Sequence, residues 1–364
     1  MLKKHAPHGI AAATATYTPD QLRIGPLCVG GHRFAHGVAL APLSGISDVP
    51  FRRLVRSFGI ELVYSEMVAS GEYVKGDDES LTRAGRAGSG FHAVQLAGRE
   101  PAAMREAAHR LADAGADLID INMGCPAKKV VGGQSGSALM RDLDLASRLV
   151  AATVEGARDV PVTVKMRLGW DRQSLNAADL AVRAQDLGAR LVTVHGRTRD
   201  QFYEGSADWK AIAEVKRAVG IPVLANGDLV AAGDDERMLA ASGADGVMIG
   251  RGSCGRPWFP ALVAGVASRD ELARIMLADL VVRHYDEMLS HYGQHIGVRH
   301  ARKHLGWYCD RVEQASGACL SLDRAALMAS ADPGQVRERL RALFGSTRVA
   351  DLEPPRDTAE RVAA

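Results

Sequence analysis

The sequence predicts an α/β protein: a (β/α)8 TIM barrel with an N-terminal β-hairpin, followed by a C-terminal all-α helical domain. Eight short β-branched runs lie between residues 38 and 255, and longer amphipathic stretches rich in Ala, Arg and Leu separate them. Eight parallel strands fit a closed barrel better than an open sheet, which more often has about five or six strands. After about residue 260 only helical patterning remains.

The elements follow in chain order. Residues 22–34 predict a hairpin with Gly30-Gly31 at its turn, placed to close the bottom of the barrel. The predicted barrel strands are residues 38–41, 62–64, 92–96, 118–121, 162–165, 191–195, 223–225 and 246–249. Helical patterns follow at residues 101–114, 138–154, 177–187, 209–219 and 231–241, and in the last third at 271–289, 298–312 and 333–343.

These elements divide the chain into four parts. Residues 1–21 predict a flexible extension, since their Ala/Thr run is too weakly apolar for a secretory signal. Residues 22–260 form the predicted barrel domain and residues 261–346 the helical domain. The polar stretch 347–364 contains Pro354-Pro355 and shows no periodicity, so it predicts a disordered tail.

Composition excludes several classes of protein. The chain has 364 residues, of which 47% are hydrophobic and 24% charged, and this balance excludes a wholly disordered or fibrous chain. No apolar run approaches the roughly 18 residues of a membrane helix, so we expect no membrane contact. The net charge of +2 means that any RNA contact needs a local basic patch. The five cysteines do not suggest a disulfide scaffold, and they favour a reducing compartment, the cytoplasm.

Chemistry is expected at the carboxyl ends of the barrel strands, where loops of such barrels carry function. Polar and small residues follow nearly every predicted strand. In chain order they are Pro42, Leu43 and Ser44; Gln95; Asn122 and Cys125; Lys165 and Arg167; His195, Arg197 and Arg199; Asn226, Gly227 and Asp228; and Gly250 and Arg251.

The glycine-rich ends of strands seven and eight suit a phosphate, because small residues let backbone N–H groups approach and Arg251 supplies charge. The alternative is that these glycines only make tight turns. Residues 250–255 also match the G-x-G-x-x-G dinucleotide pattern. That strand is the eighth of its unit, however, and Pro257 interrupts the helix that should follow, which argues against a Rossmann site.

Three other residues fit a planar cofactor. Gln95, Lys165 and His195 would bring an amide, a cation and an imidazole into one cavity, and a flavin needs paired donors and acceptors with a cation nearby. Taken singly, Lys165 could instead pair with an acid such as Glu66, and His195 could be an ordinary core histidine.

Cys125 differs from the other cysteines because it lies in a polar loop, with Asn122 before it and Lys128 and Lys129 after it. It could act as a general acid, as a nucleophile, or as a structural cysteine. Two histidine pairs spaced four apart lack a third ligand, so we predict no metal site. The basic segment 298–312 fits an RNA contact or a solvated helix face equally well.

These residues together carry a resemblance. Over roughly residues 22–343 the chain resembles the flavin-dependent tRNA-dihydrouridine synthases, most closely their bacterial B-type branch. The matching segments are Ala41-Pro42-Leu43-Ser44-Gly45-Ile46-Ser47-Asp48, Pro50-Phe51-Arg52, Ser65-Glu66-Met67, Val94-Gln95-Leu96-Ala97-Gly98, Asp120-Ile121-Asn122-Met123-Gly124-Cys125-Pro126, Val164-Lys165-Met166-Arg167, His195-Gly196-Arg197-Thr198-Arg199, Asn226-Gly227-Asp228, Met248-Ile249-Gly250-Arg251-Gly252 and Arg302-Lys303-His304.

The resemblance implies an FMN-binding barrel and a helical tRNA-binding domain. The expected reaction is reduction of the carbon 5–carbon 6 double bond of particular tRNA uridines, with NADPH or NADH as reductant and Cys125 as the catalytic acid. FMN would be held by Pro42, Leu43, Ser44, Gln95, Lys165, His195, Asn226, Gly227, Asp228, Gly250 and Arg251. The family usually has Met-Ala where this chain has Leu43-Ser44.

The substrate side would be formed by Asn122, which could orient the uracil, and by basic residues: Lys128, Arg167, Arg197, Arg199, Arg299 and Lys303. No protein partner is predicted. Two other functions fit parts of the pattern. One is a flavin barrel acting on a free pyrimidine, in the manner of dihydroorotate dehydrogenases, and the other is a non-catalytic RNA-binding regulator.

Overall fold

The computed structural model describes residues 23–354, and it confirms the predicted barrel. The strands within this range are β1 (Leu27–Val29), β2 (His32–Phe34), β3 (Val38–Leu40), β4 (Leu62–Ala69), β5 (Ala93–Ala97), β6 (Leu118–Met123), β7 (Val162–Arg167), β8 (Val192–His195), β9 (Val223–Asn226) and β10 (Gly246–Ile249). Strands β3 to β10 close a barrel in the order β10-β3-β4-β5-β6-β7-β8-β9, and every neighbouring pair is parallel.

The barrel strands are buried on both faces, which explains their nearly continuous apolar runs. β4 extends further than the predicted 62–64. The prediction was too short because the polar residues Ser65 and Glu66 end the apolar run in the sequence, although the strand buries them. Its pairing with β5 is irregular between Tyr64 and Met67. This irregularity lies where Glu66 accepts a 2.5 Å hydrogen bond from the backbone N–H of Gly45, in the loop after β3.

The predicted hairpin is confirmed as β1 and β2, which pair in antiparallel fashion. Gly30 and Gly31 turn the chain with φ of 54° and 88°, a region that favours glycine. Leu27, Val29 and Phe34 pack against apolar residues at the amino ends of the barrel strands. The hairpin therefore seals the end of the barrel opposite the expected site.

The α-helices are α1 (Val49–Arg56), α2 (Ser70–Lys75), α3 (Asp78–Ala84), α4 (Pro101–Asp113), α5 (Lys128–Gly132), α6 (Leu143–Ala157), α7 (Ala177–Asp186), α8 (Trp209–Ala218), α9 (Asp234–Ser242), α10 (Phe259–Ala264), α11 (Arg269–Leu272), α12 (Leu277–Tyr292), α13 (Gln294–Ser316), α14 (Ser321–Ala329) and α15 (Pro333–Phe344). The predicted helix 138–154 is divided: a 3-10 helix spans Gly136–Arg141, and Asp142 then caps α6 by accepting from the N–H of Leu145. Within residues 23–354, no helix is both long and apolar enough to cross a membrane.

The helical part, α11 to α15, has a hydrophobic core of its own, into which Leu54 and Trp258 of the barrel also pack. Close backbone contact joins the two parts at Gly255, where φ is 68° and a Cβ atom would stand 2.6 Å from the carbonyl oxygen of Trp307. The α13 helix therefore lies directly against the loop that follows β10.

The predicted disorder of residues 347–364 is wrong for the part that the structure describes. Leu277 donates its N–H to the carbonyl of Thr347, and Val349 donates to the carbonyl of Ile275. A 3-10 helix, Val349–Leu352, packs into the core of the helical part. The polar composition misled the prediction because these contacts come from residues far away in the sequence. The predicted extension, 1–21, and residues 355–364 lie outside the described residues.

Candidate active site at the barrel mouth

A cavity of about 510 Å³ opens at the carboxyl ends of the barrel strands, and each of the eight strands contributes lining residues, either from its last residues or from the loop that follows it. Such a volume is typical of small-molecule and cofactor sites. The structure brings together Cys125, Asn122 and Arg167 with every residue predicted to hold the cofactor: Pro42, Leu43, Ser44, Gln95, Lys165, His195, Asn226, Gly227, Asp228, Gly250 and Arg251.

A chain of hydrogen bonds connects the barrel interior to the loop of Cys125. Asn122 accepts at Oδ1 from the backbone N–H groups of Gly124 (3.1 Å) and Cys125 (2.9 Å). Its Nδ2 donates to Gln95 Oε1 at 2.8 Å, and Gln95 Nε2 donates to Asp120 Oδ2 at 2.6 Å. Asn122, expected to orient a substrate ring, therefore uses its side chain to hold the loop that carries Cys125.

Lys165 stands beside Asn226 at the centre of the cavity wall. Its Nζ donates to Asn226 Oδ1 at 3.1 Å, and Asn226 Nδ2 donates to the carbonyl of Met248. Burial and then the nearby Arg167 guanidinium lower the pKa of Lys165 to about 8, whereas Asp120 and Cys125 act in the opposite direction. The ammonium form still predominates at neutral pH, so the cavity retains a positive charge on this wall.

His195 faces the cavity from the end of β8. Burial, followed by the charges of Lys165 and Arg167, holds its pKa well below the usual range, so the imidazole is neutral at neutral pH. Its Nδ1 is buried and has no hydrogen-bond partner among residues 23–354. A buried ring nitrogen without a partner is costly, and His195 is one of the residues that line the cavity.

The corner expected to hold a phosphate contains Asp228, Arg197 and Arg251. Arg197 donates both Nη atoms to the Asp228 carboxylate, at 2.9 and 2.6 Å, and Ala207 N–H donates to the same group. Arg251 approaches Asp228 at 3.3 Å, and about half of its side chain is exposed. The Asp228 carboxylate is thus engaged within the protein, and Arg251 is the charge available to an anion.

The expectation that Arg197 contacts the RNA substrate is not met. Only 2% of it is exposed, and its remaining contacts are the carbonyls of Glu204 and Gly205. It therefore stabilises the corner from inside and presents no surface to RNA.

Arg167 is also an internal residue. Its Nε donates to the carbonyl of Gly124 at 2.9 Å and its Nη1 to that of Thr198 at 2.6 Å. Burial lowers its pKa to about 10, which leaves it charged at neutral pH. Arg167 thereby ties the loop of Cys125 to the loop that follows β8.

The remaining predicted RNA contacts lie around the cavity or beyond it. Arg199 is half-buried, with its guanidinium 4.6 Å from the Trp170 ring and 4.7 Å from the Phe202 ring. Lys128 and Arg299 are exposed, on α5 and α13 respectively. Lys303 is half-buried, and its Nζ would be 3.0 Å from a Cβ atom built on Gly45, so the structure places it beside the loop after β3.

Several residues of the site escaped the sequence analysis. Asp120 is fully buried under the cavity, and the period of two along β6 could have placed it on the same face as Asn122. Tyr203 also lines the cavity. The Tyr203 ring is half exposed and lies 4.7 Å from the Arg251 guanidinium. No local sequence pattern predicts that contact, since the two residues follow different strands.

The chain is similar in sequence to proteins of one known family. The sequence profile of the family described as "Dihydrouridine synthase (Dus)" matches residues 39–340. The chain is 55% identical to a "Probable tRNA-dihydrouridine synthase" of Rhizobium leguminosarum bv. phaseoli, covering 83% of this chain and 93% of the relative. It is 42% identical to "tRNA-dihydrouridine synthase B" of Xanthomonas campestris pv. campestris, covering 90% of this chain and 98% of that protein.

Among solved structures, the 6-hydroxypseudooxynicotine amine oxidase of Pseudomonas geniculata N1 superposes with a TM-score of 0.55 at 14% identity. The match covers 73% of this chain and about half (53%) of that longer chain. At this identity the likeness concerns the fold alone.

Proposed function

The chain belongs to the dihydrouridine synthase family, and from that premise we propose that it is an FMN-dependent tRNA-dihydrouridine synthase that uses NADPH or NADH as reductant. It reduces the carbon 5–carbon 6 double bond of particular uridines in tRNA. The observation that carries the proposal is the single cavity in which Cys125 meets Lys165 and the unpartnered Nδ1 of His195.

The residues present fit a flavin. The Nδ1 atom of His195 requires a partner that the described protein does not provide. Lys165 Nζ supplies a cation on the same wall. Gly250 and Arg251 leave a small, positively charged corner for a phosphate, and a Cβ atom at Gly250 would meet no heavy atom closer than 3.6 Å. FMN would be held by these groups together with the loop 42–44, Gln95 and the segment 226–228.

When bound, the flavin supplies the hydride that is added to carbon 6 of the uracil. Cys125 supplies the proton to carbon 5 from its thiol, so one C–H bond forms at each carbon as the double bond is lost. Asn122 and Arg167 fix the backbone on either side of that thiol. The thiolate left on Cys125 regains its proton from solvent.

The uracil to be reduced is normally stacked inside the folded tRNA. A uracil reaches the barrel mouth only when it is flipped out, which costs a few kcal/mol that contacts to the RNA backbone must offset. Arg299 and Lys128 are exposed and suited to such contacts, and Arg199 lies half-buried in the loop after β8, against the Trp170 and Phe202 rings. This substrate also implies that the protein works in the cytoplasm.

Two measurements test the proposal together. Nucleosides of tRNA from cells with and without the gene are compared by mass spectrometry, and an absorption spectrum is taken of the purified protein. We expect dihydrouridine to disappear from a defined position and the protein to show flavin bands. Unchanged dihydrouridine with bound flavin would favour a reductase of free pyrimidines, and a colourless protein would overturn the catalytic proposal.

A further inference from the structure

Asp120 is a buried carboxyl group beneath the cavity. It lies on β6 between Gln95 of β5 and Thr163 of β7, and the three residues are direct neighbours in the sheet register. Its Oδ2 accepts from Gln95 Nε2 and its Oδ1 from Thr163 Oγ1, each at 2.6 Å. Asp120 is fully buried and does not line the cavity, so it does not act on a ligand directly.

The donors and acceptors in the hydrogen-bond chain that starts at Asp120 can be arranged in only one way. An ionised carboxylate only accepts, so the amide of Gln95 must turn its NH2 towards Asp120 and its oxygen towards Asn122. Asn122 must then donate through Nδ2, which leaves its oxygen for the N–H groups of Gly124 and Cys125. If either amide were reversed, two donors would face each other in a buried place.

We propose that Asp120 is a positioning residue whose ionised carboxylate orients the amides of Gln95 and Asn122 and thereby holds the backbone of Cys125 at the cavity. The catalytic part of this inference rests on the proposed function, because it gives Cys125 the role of proton donor. The structural part stands on the hydrogen bonds alone.

The surroundings of Asp120 act on its ionised form in both directions. Burial raises its pKa to about 7, against the hydrogen bonds from Thr163 and Gln95 and the charge of Lys165, which lower it. The ionised form that orients the amides therefore predominates only above about pH 7. The Tyr64 hydroxyl faces it from β4 and stays neutral, because burial raises its pKa above the usual range. Lys165 is thus the charged group that favours the ionised form.

Amide hydrogen exchange of the purified full-length protein tests the inference directly. Asp120→Asn keeps the size of the side chain but gives it a donor as well as an acceptor, so both amide orientations become accessible. We expect the amides of Gly124 and Cys125 to exchange about tenfold faster, the factor that one hydrogen bond of ordinary strength contributes. The matched control is Thr163→Val, which removes the other hydrogen bond to Asp120 and leaves Gln95 oriented, so these two amides stay protected.

A purely structural role gives a different result. If Asp120→Asn accelerates exchange equally at Ile119 and Ile121, it only loosens β6, and the inference is overturned; unchanged exchange at Gly124 and Cys125 overturns it as well. Should Asp120→Asn fail to fold, Gln95→Met interrupts the same chain one step later, and we expect the same two amides to be affected.

A kinetic measurement distinguishes this inference from the proposed function. In a single turnover with tRNA, Asp120→Asn is expected to form dihydrouridine about tenfold more slowly while tRNA affinity is unchanged, because the thiol and not the binding surface is displaced. If the wild-type protein forms no dihydrouridine, the proposed function fails, yet the exchange result still decides the positioning role. An unchanged single-turnover rate with faster exchange would overturn the catalytic part alone.

Discussion

Gly227 follows the seventh barrel strand at a point where a larger residue does not fit. Its φ of 115° lies in the region that favours glycine. A Cβ atom there would stand 2.8 Å from the Cβ of Ala207 and 3.2 Å from His195 Nε2. The residue therefore combines a backbone requirement with a close approach to the imidazole that we assign to the cofactor.

Replacing Gly227 by Ala should weaken flavin binding at least about tenfold and lower the free energy of unfolding by roughly 1–3 kcal/mol, because it adds backbone strain and displaces His195. Flavin titration and denaturant unfolding measure the two effects. Gly233→Ala is the control: φ there is 84°, but no heavy atom would lie within 4 Å of the new Cβ. Equal flavin affinity in both variants would contradict the argument.

Among the elements, the helix α13 has an exposed side, which is a candidate RNA contact, and a buried side. Arg299 is exposed, whereas Lys303, one turn later, lies near Asp48; burial raises the pKa of Asp48 to about 6, and the charge of Lys303 acts against that rise. Charge reversal at Lys303 would therefore also disturb the junction between the barrel and the helical part. Arg299 allows a cleaner test of the helix as an RNA contact.

The variant Arg299→Glu should weaken tRNA binding at moderate salt while the bound flavin remains unchanged, because a phosphate contact is lost and a repulsion added. Filter binding at two salt concentrations measures the effect, which should shrink at high salt. Arg341→Glu, an exposed change on α15, serves as the matched charge reversal. If the two variants bind tRNA equally well, α13 is not part of the RNA surface.

The seam between α12 and α13 contains a pair of buried histidines. His284 and His304 have ring centroids 4.8 Å apart, and the Nε2 atom of each has no hydrogen-bond partner among the described residues. Burial, and then the charge of Arg283, lowers the pKa of His284 to about 3. Burial also holds the pKa of His304 well below its usual range, with His284, Lys303 and His300 acting in the same direction.

The free energy of unfolding should consequently fall as the pH drops below about 6.5, because these two histidines bind protons in the unfolded chain but stay neutral in the folded protein. Each histidine should cost roughly 2 kcal/mol of unfolding free energy between pH 6.5 and 5. Denaturant unfolding at several pH values measures this loss. His304→Phe should remove the roughly 2 kcal/mol that this histidine contributes, while other buried histidines such as His195 still contribute. A slope that His304→Phe does not alter would refute the assignment.

In the molecule as a whole, Glu353 connects the segment after the last helix to the barrel. Its carboxylate accepts from Arg256 Nε and from Trp258 Nε1, each at 2.7 Å, in a buried place behind the barrel mouth. Arg256 Nη1 also donates to the carbonyl of Val230, which lines the cavity. The segment 347–353 therefore joins the helical part to the wall of the candidate site.

Glu353→Gln should lower the free energy of unfolding by about 3 kcal/mol, because it leaves the buried Arg256 without its counter-charge. Glu155→Gln removes an exposed partner of Arg105 and should cost less than about 1 kcal/mol. Urea unfolding of both variants makes the comparison. Similar costs in the two variants would show that the closing segment contributes little to stability.

Features that depend on local pattern could be predicted from the sequence. β-branched runs and intervening amphipathic stretches predicted all eight barrel strands, and Gly30-Gly31 predicted the hairpin turn. The residues following the strands predicted the members of the cavity, because the carboxyl ends of parallel strands in a barrel meet on one face.

Tertiary structure alone decided how those residues are used. Three features depend on partners from other elements: the pairing of buried Arg197 with Asp228, the hydrogen bonds that lead from Asp120 to the loop of Cys125, and the ordering of residues 347–354. Arg256 and Glu353 are 97 residues apart in the chain. The physical reason is that a strand or helix pattern is encoded over a few residues, whereas a hydrogen-bond partner is fixed only after distant segments have packed together.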